Sequence, residues 1–232
     1  MNSLWGSYWT YMIPAMLLSL LAQWWVGSTY RRWSQVRNRS QISGSEAAQR
    51  MLTYGGLHEV RLEPASGALT DHYDPRSKVL RLSAGVAQSP SVAALAIAAH
   101  EIGHALQDRE DYAPLRLRTA LVPAVNLGSS LGWILILVGL MLQSLQLASL
   151  GLVAFAAGTV FALATLPVEL NASTRARVLL RSTGLVQEET EVAGVNAVLS
   201  AAAFTYIAAL ATAVLQLLYF GGLVGGLGVR RR

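Results

Sequence analysis

Apolar positions along this chain come in blocks of bilayer length rather than in the short periodic stripes of a surface helix. Residues 1–30, 120–168 and 192–229 contain no Asp, Glu, Lys or Arg, and each block is long enough to cross a hydrocarbon core of about 30 Å. The first predicts a spanning helix from Tyr8 to about Thr29. Trp5, Tyr8 and Trp9 stand at one end and Trp24, Trp25 and Tyr30 at the other, where interfacial aromatics belong. Pro14 is expected to kink it, which a membrane helix tolerates when neighbours or water satisfy the freed carbonyl. The second block, 49 residues, is too long for one span at about 1.5 Å per residue and suits a helical hairpin turning near Gln143–Gln146. The third would hold one long span or a short hairpin, followed by a basic tail at 230–232.

Residues 31–118 differ in kind. They carry twelve of the eighteen Lys and Arg, nine of the thirteen Asp and Glu, and all four histidines. Ser45 to Tyr54 reads as a short helix begun by Ser43 or Ser45 and ended by Gly55 and Gly56. Glu59–Glu63 reads as a brief strand before Pro64, Asp71–Arg76 as a turn, and Lys78–Leu82 as a second strand. A helix is predicted over 92–109, opened by Ser89 ahead of Pro90. The fold class expected is therefore mostly α: an integral-membrane helical protein with a small α+β cytoplasmic segment. Its domains are a first transmembrane helix over 1–30, the cytoplasmic segment 31–118, a transmembrane hairpin over 119–168, a cytoplasmic segment 169–191 and a final transmembrane segment 192–229.

Composition sharpens this. Of 232 residues 53% are apolar and 13% charged, and the mean hydropathy of +0.41 nearly excludes a soluble globular domain. The net charge of +5 would in a soluble chain raise the question of nucleic acid. Here the arginines sit beside the apolar blocks, as at Arg31, Arg32, Arg37, Arg39, Arg116 and Arg118, where membrane orientation accounts for them and no nucleic-acid partner is expected. Those clusters predict that 31–118 and 169–191 face the cytoplasm of a cell whose inner (plasma) membrane holds four spans. The three C-terminal arginines oppose that orientation. The first basic cluster follows the first apolar block, so a cleaved sorting signal is not expected. Without cysteine, metal ligands must come from His, Asp and Glu.

Within 92–109 lies His100-Glu101-Ile102-Gly103-His104, the HExxH pattern. Imidazoles at i and i+4 share one helix face and can reach one zinc ion, while Glu101, beside the first of them, is placed to act as a general base. Gly103 leaves room for backbone or substrate beside His104. A catalytic zinc site generally uses three protein ligands. Candidates for the third are His58, His72, Asp108, Glu110, Asp111 and Glu169. Glu169 is the most telling, as the first charge after the uncharged block 120–168, although an interfacial carboxylate or a salt bridge to Arg175 would also explain it.

DHYDP at 71–75, AAHEIGHALQ at 98–107, LPVELNASTRA at 166–176 and AAAFTYIAA at 201–209 resemble the YugP-like neutral zinc metallopeptidases of bacterial membranes. The architecture is also similar to that of the HtpX and CAAX prenyl proteases, whose third ligand is a Glu arriving after a helical hairpin. The resemblance implies a zincin-like, gluzincin-like site with Zn2+ held by His100, His104 and Glu169, and Glu101 as base. Those relatives place an Asp one helical turn after the ligand Glu. This chain has Ser173 there, so Asn171, Ser173 or Arg177 would orient a histidine or an incoming carbonyl.

The expected activity is hydrolysis of internal peptide bonds in membrane-associated or misfolded proteins, with His72, Tyr73, Arg177 or Tyr206 as oxyanion donor. If the Lys78–Leu82 strand lies at a sheet edge, it would grip an extended substrate by its backbone. The competing reading is a non-hydrolytic scaffold or chaperone subunit with a structural metal closed by a fourth ligand, for which His72 and Asp108 are candidates. Expected partners are a protein or peptide substrate and the bilayer, with a homo-oligomer or a membrane partner protein also open.

Overall fold

The computed structural model describes residues 2–229. The tail at 230–232 and the side chain of the proposed anchor Trp5 lie outside the described residues. Ten elements follow in order: α1 (Asn2–Ser34), α2 (Gly44–Tyr54), β1 (Arg61–Ala65), β2 (His72–Asp74), β3 (Val79–Ser83), α3 (Ala84–Ala87), α4 (Val92–Arg109), α5 (Ala113–Met141), α6 (Leu145–Ser182) and α7 (Glu189–Val229). The protein is mostly helical. Among the described residues, four helices are long and apolar enough to cross a membrane: Tyr8–Ser34, Ala113–Met141, Leu145–Ser182 and Glu189–Gly228.

Local chemistry explains most of the boundaries. Ser43 caps α2 through a capping box, accepting from the Glu46 N–H while the Glu46 carboxylate accepts from the Ser43 N–H. α4 occupies the expected 92–109, but Ser89 is not its cap. Its cap is Ser91, whose hydroxyl accepts from Ala94 N–H, because residues 89–90 are engaged elsewhere: the Pro90 carbonyl accepts from Asn38 N–H and that of Ser89 from Gly44 N–H. α5 and α6 are separated by residues 142–144 only, with Gln143 in the left-handed conformation (φ 54°) that lets the chain reverse. α6 runs through Pro167 without a break, and α7 is one continuous helix rather than a hairpin.

The sheet has the order β1-β3-β2, with β1 parallel and β2 antiparallel to β3. Three expectations change here. The 71–76 segment contains strand β2 (His72–Asp74) ahead of its turn. β1 begins later than Glu59 and continues through Pro64, which an edge strand tolerates because that position need not donate to the ladder. β3 is central, not an edge: β1 flanks it along 79–83 and β2 along 79–81, so it is not the edge strand a substrate would extend.

The chain forms two compact units. One comprises the stretch through Ala22, Arg116–Leu166 and the chain from Thr205 onward; the other comprises Gln23–Leu115 and Pro167–Phe204. In the first, α5 and α6 approach closely at glycines, and Phe220 stacks edge-on with Trp133 and Phe155 at 5.3 and 5.2 Å between centroids. In the second, α2, α4, the sheet and parts of α6 and α7 enclose a core that includes Met51, Leu80, Leu95, Ile102, Leu180 and Leu199, all fully buried. α4 lies at its centre, which places the polar triplet of that helix in sheltered surroundings.

Candidate metal centre

α4 presents His100 and His104 one turn apart, and α6 presents Glu169 to both. Glu169 Oε2 is 3.1 Å from His100 Nε2 and 3.5 Å from His104 Nε2, and the three side chains are only 13%, 11% and 2% exposed. Their ligand atoms all lie within 4.8 Å of one another. The helices can come this close because Gly103 stands between the histidines: a Cβ there would fall 2.5 Å from the Ala172 carbonyl oxygen. The space beside His104 is therefore taken by the α6 backbone. Arg175 does not pair with Glu169 as the simpler explanation of that carboxylate supposed; its guanidinium bridges Glu110 at 2.7 Å.

Both imidazoles use Nδ1 away from Glu169. His100 Nδ1 is 3.2 Å from Ser173 Oγ, and His104 Nδ1 is 3.0 Å from Gln107 Oε1. Gln107 is buried, and its amide nitrogen donates to the Val168 carbonyl (2.8 Å) and to Asn171 Oδ1 (2.9 Å). Glu101 points to the sheet. Its Oε2 accepts from the Tyr73 backbone N–H at 3.1 Å. Burial pushes the Glu101 carboxyl above the ordinary carboxylate range, while the imidazoles of His100 and His104 pull it back. The Tyr73 hydroxyl donates to Asp108 Oδ2 at 2.7 Å, where Lys78 Nζ also binds, and burial followed by that hydrogen bond raises the Tyr73 phenol. A cavity of about 180 Å³ opens beside Glu101, with Tyr30, Leu69, Asp71, Ile97 and Val198 in its wall.

Donors arranged tetrahedrally at zinc distances of about 2.0–2.1 Å stand about 3.3 Å apart. The observed 3.1 and 3.5 Å bracket that value, so the side chains present fit a zinc ion. Over residues 8–224 the sequence matches the family described as "Putative neutral zinc metallopeptidase". The chain belongs to this family. It is similar to the Bacillus subtilis (strain 168) protein named "Putative membrane protease YugP", with 46% identity over 208 residues, 90% of this chain and 92% of that one. No solved structure matches it.

Within this family member, the residues singled out from sequence fall into two groups. His100, Glu101, His104, Glu169 and Ser173 come together, with Asn171 one hydrogen bond further out. His72 and Arg177 make their contacts elsewhere. The exposed His72 ring faces the Thr70 carbonyl and Arg81, and Arg177 Nε donates to Asn196 Oδ1 on α7. Tyr206 falls in the other compact unit. Tyr73 joins the site through its backbone. Sequence reading missed Gln107 altogether, although its position three residues after His104 puts it on the same helix face, a signal that was there to be used.

Proposed function

We propose that this chain is an integral-membrane zinc endopeptidase that hydrolyses peptide bonds of membrane-associated or misfolded proteins at the cytoplasmic face of the membrane. The observation that carries the reading is a carboxylate held beside, but turned away from, a cluster of two imidazoles and one carboxylate on separate helices. His100, His104 and Glu169 would hold the cation. Bound there, zinc supplies Lewis-acid polarisation of a peptide carbonyl and makes water more acidic.

The chain's own residues do the rest. Glu101, anchored at Oε2 by Tyr73 N–H, keeps Oε1 available to take a proton from attacking water and return it to the departing amine. Desolvation favours the uptake step, since a buried carboxylate takes a proton more readily than an exposed one. The half-open cavity beside Glu101 gives an uncharged side chain of a bound peptide somewhere to lie. A closed structural site would need a fourth ligand. The two candidates are committed elsewhere, His72 toward Arg81 and Asp108 toward Tyr73 and Lys78.

The test is zinc content and cleavage of unfolded casein or a membrane extract by the purified full chain, beside Glu101→Gln and Glu169→Ala. Glu101→Gln should keep its zinc and lose about 10²–10⁴-fold in turnover. Glu169→Ala should lose both zinc and turnover. Cleavage by Glu101→Gln at the unsubstituted rate would refute the base assignment, and cysteine labelling at the termini tests the orientation.

A further inference from the structure

The two imidazoles are not held alike. Ser173 Oγ, 3.2 Å from His100 Nδ1, belongs to a hydroxyl that donates or accepts according to its rotation, so it leaves the proton of His100 unassigned. Gln107 leaves no such freedom to His104. The Val168 carbonyl, 2.8 Å away, can only accept, so the amide NH2 must face it; that same NH2 also reaches Asn171 Oδ1 at 2.9 Å. The identity of that Asn171 atom is fixed in turn by Arg175 Nε, which can only donate, at 2.7 Å. Arg175 is held by Glu110 at 2.7 Å and lies over the Tyr112 ring at 5.9 Å. With its nitrogen so placed, the Gln107 amide oxygen is what faces His104 Nδ1 at 3.0 Å. An oxygen acceptor there requires an N–H on Nδ1. Each link from the Glu110–Arg175 ion pair to the imidazole thus has a single workable polarity.

We propose that Gln107 is a positioning residue that locks His104 with its proton on Nδ1, so that Nε2 is the nitrogen offered to the cation, and that Asn171, Arg175 and Glu110 hold the amide in the direction this requires. The proposal rests on the reading of His104 as a metal ligand and goes beyond it by naming what fixes the ligand's tautomer. It also implies an order. The histidine with an adaptable hydroxyl partner should depend less on that partner than the histidine with a directed amide.

The experiment uses the full chain in detergent and reads zinc affinity by chelator competition. Gln107→Met keeps the side-chain volume and removes the acceptor; it should weaken zinc binding about 10–100-fold. Gln107→Glu keeps an oxygen toward His104 but sets its second oxygen against the Val168 and Asn171 acceptors, so it should recover only part of that loss. Ser173→Ala should weaken binding by a smaller factor than Gln107→Met. A readout independent of any substitution is the long-range 1H–15N correlation of histidine-labelled, zinc-loaded protein, which should place the His104 proton on Nδ1. Equal zinc affinity with and without the Gln107 amide, or a His104 proton on Nε2, overturns the proposal alone. A chain that takes up no zinc overturns the metal reading and this proposal together.

Discussion

The two compact units use the same device, a glycine where two helices meet, to different ends. In the apolar unit the α5–α6 hairpin closes backbone to backbone. An added Cβ would lie 2.6 Å from Phe155 N at Gly132, 2.4 Å from Ala148 N at Gly139 and 2.5 Å from Ile136 N at Gly151. Large side chains such as Val153, Leu163 and Leu131 point outward, 72%, 60% and 52% exposed. Where helices gain little from excluding lipid, close van der Waals approach through small residues supplies the association. In the site-bearing unit, Gly103 brings α4 just as near to α6 at Ala172, but there the contact also sets how far two imidazoles stand from a carboxylate. In one region the contact sets only how closely two helices pack; in the other it also sets the spacing of the donor atoms.

Substituting the glycines should separate these roles most sharply. Gly103→Leu is expected to push α6 from α4 and cost about 100-fold or more in turnover, since displacements near 1 Å have effects of that size, with zinc affinity falling alongside. Gly139→Leu should lower the thermal midpoint of the purified protein while the folded fraction binds zinc normally. Normal zinc binding by a folded Gly103→Leu chain would break the comparison.

A smaller contrast concerns apolar truncation. Leu95, fully buried on α4, should cost about 2–5 kcal/mol when replaced by Ala. Val153, outward on α6, should change stability by less than about 0.5 kcal/mol. Denaturant titration in detergent reads both. Similar losses at the two positions would mean that the outward face of the apolar unit is covered by protein.

The smallest effect is one of pH. The hydrogen bond from Arg175, helped by the charges of Arg175 and Arg109, holds the Glu110 carboxyl below its ordinary value against the opposing effect of desolvation. A depressed folded pKa contributes stability that is present above the unfolded value and disappears as pH falls through the folded one. Lowering the pH from 6 to below 4 should therefore reduce the thermal midpoint of the unsubstituted chain slightly more than that of Glu110→Gln. An equal fall in both would mean that the ion pair contributes nothing.

How much of this could be read beforehand follows the same division. Charge-free blocks of bilayer length made four apolar helices legible, because the pattern depends on composition summed over many residues. The capping box at Ser43 was equally local. The tertiary partners were not: β3 looks like any half-buried strand until β1 and β2 flank it, and Ser89-Pro90 looks like a cap until Asn38 and Gly44 claim its carbonyls. At the centre, His100, Glu101 and His104 announce themselves by spacing on one helix. That Glu169 would stand between the imidazoles depends on a helix 69 positions along the chain; among six candidates the residues alone already marked it as the most telling, and the family resemblance implied it as the third ligand. Gln107 was overlooked because an uncharged amide carries no obvious chemistry until its neighbours dictate which of its two ends faces a histidine.

Because α6 runs unbroken from Leu145 to Ser182, the angular setting of Glu169 is fixed by counting residues along a single rod. One residue inserted between Glu169 and Ala172 would turn the carboxylate by about 100° and shift it by about 1.5 Å along the axis relative to the Gly103 contact at Ala172, carrying it off the line between its two imidazoles. The residue count from that contact back to Glu169 is in this sense a dimension of the proposed metal centre, and deletions or insertions within it should be tolerated only in steps that restore the original phase.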